Sequence, residues 1–228
     1  MQVITPDQMR AVEERCERLG VSRLLLMENA GTAVARHVKK KFGPLKGIRI
    51  VVVAGTGNNG GDGFVAARHL AGFGGEITII LLGNGRDIKT SEARTNWQIV
   101  RSMAHSIKIY EASDEEAVKS LKDIFMSADI IIDAIFGTGV KGAVKEPHSS
   151  AIDLINESKA YKIAVDVPSG LDPLTGEVHD KAVRANVTIS FHRAKVGLLK
   201  KRGLTGKIIV APIGVPPEAE TKDPFTHS

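Results

Sequence analysis

Cysteine is nearly missing from this chain. Cys16 is the single one in 228 residues, which excludes an internal disulfide and fits a reducing compartment. No thiolate-activating motif surrounds it, so it reads as a packing residue. Aromatic residues make up 4%, and the 31 Lys and Arg are spread along the chain. A nucleic-acid binder clusters its basic residues and adds stacking aromatics, so no nucleic-acid partner is expected. The net charge of +5 calls for nothing more than a phosphorylated small molecule. No apolar run reaches membrane-spanning length, and no signal-peptide core precedes the first helical pattern. The expectation is a cytoplasmic protein without a membrane partner.

Several familiar chemistries are missing too. The 7 histidines show no metal-ligand spacing, so His192 reads as structural. Ser169 is not a hydrolase nucleophile, because Val167 occupies the first glycine place of the Gly-x-Ser-x-Gly elbow.

What the chain does have is a β-branched apolar run, Ile48 to Val53, followed by Gly55-Thr56-Gly57-Asn58-Asn59-Gly60-Gly61-Asp62-Gly63. The run reads as a buried parallel strand. From Asp62-Gly63 onward, Phe64, Val65, Ala67 and Leu70 have helical spacing. A glycine-rich turn between a strand and a helix N-terminus aims N–H groups and a positive dipole end at one spot, which suits a phosphate. The turn satisfies the dinucleotide fingerprint literally. However, the next strand, Ile77 to Leu82, ends without the acidic residue that holds a ribose. Nor is it a P-loop, since Gly61-Asp62 stands where Lys and a hydroxyl residue are required.

Along the chain, Thr5-Pro6-Asp7-Gln8 reads as a capped helix start, with the helix running to about Leu19. Ser22 opens a second helix ending near Gly43. Leu24-Leu25-Leu26-Met27 offers more apolar surface than one face can use, either to cover the sheet or to meet a second subunit. Strands are expected at 48–54, 76–82, 106–110, 129–133, 161–166, 186–191 and 207–211. Helices are expected at 62–73, 90–103, 114–125 (opened by a capping box at Ser113) and 147–158. The alternation predicts an α/β fold, a three-layer α/β/α sandwich on a mostly parallel sheet with two extra N-terminal helices. Residues 1–216 form one domain in this reading, and 217–228 a flexible tail.

Unusual residues gather at the strand ends, where open α/β sheets bind ligands. One strand finishes in Asp133 and runs into Gly137-Thr138-Gly139; another finishes in Asp166 and runs into Ser169-Gly170; a third leads to Lys195. Lone carboxylates at buried strand ends are costly unless used. Asn59, Asp133 and Asp166 are therefore expected to converge on one crevice. The available oxygen set, one Asp, one Asn amide, one Ser hydroxyl and carbonyls, suits a monovalent cation better than a hard divalent one.

These stretches, with Leu24-Leu25 and Met27-Glu28-Asn29-Ala30-Gly31, resemble the NAD(P)H-hydrate epimerase family of the YjeF N-terminal-domain type, over nearly the whole chain. The resemblance implies a Rossmann-like homodimer that interconverts the R and S forms of hydrated NADH and NADPH for nucleotide repair. It implies potassium as cofactor, with Asn59, Asp133 and Ser169 as ligands. It implies substrate contacts from Asn58, Asn59, Gly60, Gly61 and Asp62, from Gly137, Thr138, Gly139, Val140, Lys141, Gly142 and Ala143, and from Asp166. In many bacteria the domain is fused to a dehydratase; this chain is expected to work with a separate dehydratase, or to be a piece of a longer product.

Epimerisation needs a group that protonates the departing hydroxyl at C6 and deprotonates the incoming water. Asp166 is chosen for its strand-end position, where burial can raise a carboxyl's pKa. Lys195 is either a second proton carrier and electrostatic partner or a solvated lysine. The competing reading is a non-catalytic nucleotide-binding or interaction module of the same fold. A conventional NAD dehydrogenase is disfavoured by the missing ribose acid.

Overall fold

The computed structural model describes residues 2–137 and 142–221. In chain order the strands and helices are β1 (Val3–Ile4), α1 (Pro6–Arg18), α2 (Arg23–Phe42), β2 (Arg49–Ala54), α3 (Asn58–Gly72), β3 (Glu76–Leu82), α4 (Ser91–Arg101), β4 (Ile107–Ala112), α5 (Glu115–Ser120), α6 (Lys122–Ser127), β5 (Ile130–Ala134), α7 (His148–Glu157), β6 (Tyr161–Val165), β7 (Val187–Phe191), β8 (Ala194–Lys195), α8 (Arg202–Thr205) and β9 (Lys207–Ala211).

Local chemistry sets most of these boundaries. Thr5 and Gln8 form a reciprocal capping box at the start of α1, and Ser22 accepts from Leu25 N to open α2. Gly43, at φ 74°, supplies the left-handed residue that ends α2. The capping box expected at Ser113 does not form: Asp114 caps α5 by accepting from Ala117 N, and Ala117 has no polar side chain to reciprocate. The single helix expected over 114–125 is two short ones, α5 and α6, meeting at Leu121.

Seven strands form one all-parallel sheet in the order β4-β3-β2-β5-β6-β7-β9. Alternation along β2 divides the core. Ile50, Val52 and Ala54 point to the face covered by α1, α2, α3 and α4; Val51 and Val53 point to the face covered by α5, α6 and α7. Each buried Val or Ile among them contributes about 1.5–3 kcal/mol of transfer free energy. The result is the expected three-layer sandwich, with both N-terminal helices on the first face.

The strand order reverses between β2 and β5, so the crevice beyond their carboxyl ends is the natural ligand position. Two features were not expected. β1 pairs in parallel with β8, Ile4 opposite Lys195, as a separate two-stranded sheet. And the tail expected from 217 begins with a docked turn, Pro217–Glu220: Ala219 is fully buried, Arg15 Nε donates to its carbonyl at 2.5 Å, and Glu220 pairs with Arg193. Residues 222–228 lie outside the described residues.

Candidate functional site

From Asn58 onward the glycine-rich stretch is helix rather than loop. α3 begins at Asn58, four residues before the expected start, with Gly57 as a cap that has no side-chain hydrogen bond. Its first turn therefore carries Asn58, Asn59 and Gly60, whose N–H groups have no partner within the helix, while Gly61 N donates to Gly57 O at 3.2 Å. The glycines are there for close approach. A Cβ on Gly60 would stand 1.9 Å from Gly55 O, and one on Gly55 2.2 Å from Ile135 O. β2, α3 and the segment after β5 can interlock only without those side chains. Gly60 and Gly61 are buried packing positions and line neither of the two recesses described below, unlike their neighbours Asn58, Asn59 and Asp62.

Asp133, at the end of β5, has no exposed surface. Its Oδ2 accepts from Ser169 N at 2.8 Å, and its Oδ1 from Ser169 Oγ at 2.5 Å and Ile135 N at 3.3 Å. Burial raises its carboxyl to about pKa 6, against the lowering effect of the Ser169 bonds. Ser169 Oγ also accepts from Phe136 N at 3.0 Å. The next residue, Gly137, abuts Asn59: a Cβ there would lie 3.2 Å from Asn59 Oδ1. Asn59 is buried, and its Nδ2 has no partner. Asn59, Asp133 and Ser169 thus belong to one chain of contacts running through Phe136 and Gly137.

Asp166 follows β6 with φ 65°, the left-handed region, and Val167 N donates to Val165 O across it at 2.8 Å. This is a γ-turn of the strained kind. A second one stands beside it after β7, at His192 with φ 61°, where Arg193 N donates to Phe191 O at 2.7 Å. Between them the two turns aim Asp166 at the end of β7. Its Oδ1 accepts from Lys195 Nζ, from Phe191 N at 3.0 Å and from Ser190 Oγ at 3.4 Å. Lys195 is 1% exposed and also donates to Phe191 O at 3.0 Å. A solvated lysine is thereby excluded. His192 is mostly buried with its pKa lowered by that burial, in keeping with a structural role.

Two recesses meet at this point. A cavity of about 230 Å³ is lined by Asn58, Asn59, Asp62, Gly137, Asp166 and Lys195, together with Arg10 and Glu13 of α1, Arg23 of α2 and Glu92 of α4. A wider recess of about 740 Å³ shares Asn58, Asn59 and Gly137 with it and continues past Thr56, Lys89, Lys145, Ala143 and a Phe136–His148 ring stack with centroids 4.7 Å apart. The expected convergence holds for Asn59 and Asp166. It does not hold for Asp133, which lies buried behind Gly137 with Ser169 and lines neither recess. Gly142 is described but lines neither; Thr138, Gly139, Val140 and Lys141 lie outside the described residues.

Glu13, Arg10, Arg23 and Glu92 were not singled out from the sequence. On α1, nothing local to Arg10 or Glu13 indicates a neighbour as distant in the chain as Asp166. Burial raises the pKa of Glu13, with Asp166 adding to the rise and Arg23 opposing it. Asp62 is raised well above 3.8, by burial first and then by Asp166 and Glu13, with Lys195 opposing.

No helix among the described residues is long and apolar enough to cross a membrane. No cluster of three His, Cys, Asp or Glu among them could hold a metal. Residues 23–197 match the family described as YjeF-related protein N-terminus. Over 95% of its length this chain is 42% identical to an NAD(P)H-hydrate epimerase of Nitrosopumilus maritimus, covering 97% of that protein. It is 46% identical to one from Cenarchaeum symbiosum, again covering 97% of it. A bifunctional NAD(P)H-hydrate repair enzyme of Pyrobaculum aerophilum is 51% identical, but this chain spans only 43% of that protein. The crystal structure of the yeast protein ynu0 shares the fold with a TM-score of 0.79, at 24% identity over 100% of this chain and 97% of that one. The chain therefore belongs to the YjeF-related N-terminus family.

Proposed function

We infer that this protein is an NAD(P)H-hydrate epimerase, interconverting the R and S forms of hydrated NADH and NADPH. The observation that carries the reading is the buried Asp166–Lys195 pair opening onto a cavity beside the N-terminus of α3. A damaged dihydronicotinamide ring fits the smaller cavity, and the rest of a dinucleotide the wider recess beyond Asn58 and Asn59. The N–H groups of the first α3 turn suit the pyrophosphate between them.

The carbon to be inverted carries a hydroxyl and the ring nitrogen. When the C6–O bond breaks, the nitrogen lone pair forms the C6=N bond of a cation, and water returning to the opposite face inverts the centre. Asp166 is the acid–base group for the oxygen, a role worth about 10²–10⁴-fold. Lys195 holds it in place and balances its charge.

Asn59, Asp133 and Ser169 are assigned to a potassium ion. The fit rests on their chemistry: an all-oxygen set, a fully buried carboxyl with no ion-pair partner among the described residues, and the amide oxygen of buried Asn59 beside Gly137. A bound monovalent cation would neutralise Asp133 and tie together the segments after β2, β5 and β6. A homodimer is assigned to the α2 start, where Leu24 and Leu25 are 39% and 53% exposed. A dehydratase acting on the same damaged cofactor is the functional partner, and the lone buried thiol of Cys16 accords with the cytoplasm.

The test is the rate of R-to-S conversion of hydrated NADH with and without the protein. Acceleration that disappears in Asp166→Asn, while nucleotide binding survives, is the expected result. No acceleration by the wild-type protein would refute the reading.

A further inference from the structure

Inversion needs chemistry on both faces of the ring, because hydroxide leaves from one and water arrives at the other. A single carboxyl facing a ring held in a small cavity reaches only one of them. Asp166 and Lys195 occupy the wall formed by the strand ends. The helical wall carries two more carboxyls, Asp62 of α3 and Glu13 of α1. Their surroundings differ from those of Asp166 in kind. All three groups facing Asp166 Oδ1 are donors. Neither the Asp62 nor the Glu13 carboxyl accepts a hydrogen bond from, or forms an ion pair with, any described residue.

We propose that Asp62 is a second catalytic acid–base group, serving the face of the ring opposite Asp166, so that epimerisation passes between two carboxyls. The inference rests on the epimerase reading above. In one direction the Asp62 carboxyl gives its proton to the C6 hydroxyl, and the C6–O bond breaks with release of water. A second water then bonds to C6 from the other face and gives its proton to the Asp166 carboxylate. The enzyme is left with Asp62 ionised and Asp166 protonated, which is the form that runs the reverse reaction. Proton exchange with solvent restores the first form.

The charges around Asp62 are arranged for the opening step. Arg10 and Glu13 face the cavity from α1, Arg23 from α2, Glu92 from α4, and Asp166 and Lys195 from the strand ends. Burial, Asp166 and Glu13 together favour the protonated carboxyl, against the pull of Lys195. Asp62 thus holds the proton for the opening step, while Asp166, facing three donors, lies where the incoming water gives up its own. Glu13 is a positioning residue in this scheme, acting through its charge on Asp62.

Oxygen exchange tests the assignment. Each epimer of hydrated NADH is incubated with enzyme in H₂¹⁸O, and both the label at C6 and the configuration are followed. Wild-type enzyme inverts both epimers and labels both. Asp62→Asn is expected to lose inversion by at least about a hundredfold, yet still label one epimer with retention, using Asp166 alone. Asp166→Asn is expected to label the other epimer only. This mirror result stands even if Asp62→Asn folds poorly, which its melting curve would reveal.

Inversion by Asp62→Asn at the wild-type rate overturns the proposal. So does loss of labelling from both epimers in a variant that still binds nucleotide, since one proton route would then serve both faces. Glu13→Gln should keep inversion but move the high-pH limb of its profile to lower pH; an unmoved limb removes Glu13 from the scheme. A wild-type protein that accelerates neither reaction refutes the epimerase reading itself, a different result from any of these.

Discussion

Lys195 reaches Asp166 from outside the main sheet: its Nζ donates to Asp166 Oδ1 from a two-residue strand that pairs with the chain's first strand. Both partners are buried and both have further hydrogen bonds, so neither charge stands alone. Removing one partner of such a pair costs about 3–5 kcal/mol, because the other is left buried and uncompensated. Lys195→Met should therefore lower stability by that order in urea unfolding. Adding Asp166→Asn should recover part of the loss. Equal stability of wild type and Lys195→Met would mean that the pair is not formed in solution.

A cation among Asn59, Asp133 and Ser169 should appear as stabilisation that depends on the identity of the salt. At a hundred times its dissociation constant, a ligand specific to the folded state adds about 2.7 kcal/mol. The melting temperature in potassium chloride should exceed that in tetramethylammonium chloride at equal ionic strength. Asp133→Asn should abolish the difference. A wild-type protein that melts alike in both salts has no such site.

The raised pKa of Asp62 also has a sign that can be checked. In the unfolded chain this carboxyl ionises near 4, while the folded protein holds its proton to higher pH. The stability it contributes is fully present below the unfolded value and is lost as pH rises through the folded one. Asp62→Asn should then be more stable than wild type at neutral pH, with the two converging below about pH 4. Denaturation midpoints across that range would show the crossover, and a variant less stable at neutral pH would contradict it.

Close packing at the start of α3 gives a pair of opposite expectations. A Cβ at Gly60 would meet the backbone oxygen of Gly55, whereas one at Gly57 would meet nothing within 4 Å. Gly60→Ala should cost about 1–3 kcal/mol or more, as overpacking does. Gly57→Ala should fold normally. Comparable unfolding midpoints for the two variants would argue against this interlock.

The exposed Leu24 and Leu25 make a surface prediction. Leu25→Glu should reduce the apparent mass in sedimentation from that of a dimer to that of a monomer, with little change in secondary structure. A wild-type protein that sediments as a monomer removes the interface.

Much of the fold was legible because its signals are local. Caps at Thr5 and Ser22, the Gly43 stop and the β-branched runs each act within a few residues. What misled was Gly60-Gly61, read as loop because glycine disfavours helix. Packing against Gly55 and Met27 outweighs that preference and draws the helix back to Asn58. In the site, Asp133, Asp166 and Ser169 showed in sequence because they stand at strand ends. Glu13 did not: α1 meets the strand ends only through tertiary packing. The β1–β8 pairing was out of reach for the same reason, as two residues carry no period.

That small ribbon has a further consequence. Ile4 lies opposite Lys195, so the backbone carrying the ammonium group is steadied by the two residues of β1. Clipping those residues would leave the seven-stranded scaffold intact and slacken the lysine's tether. Loss of Val3 and Ile4 would then surface as sluggish turnover well before any sign of unfolding.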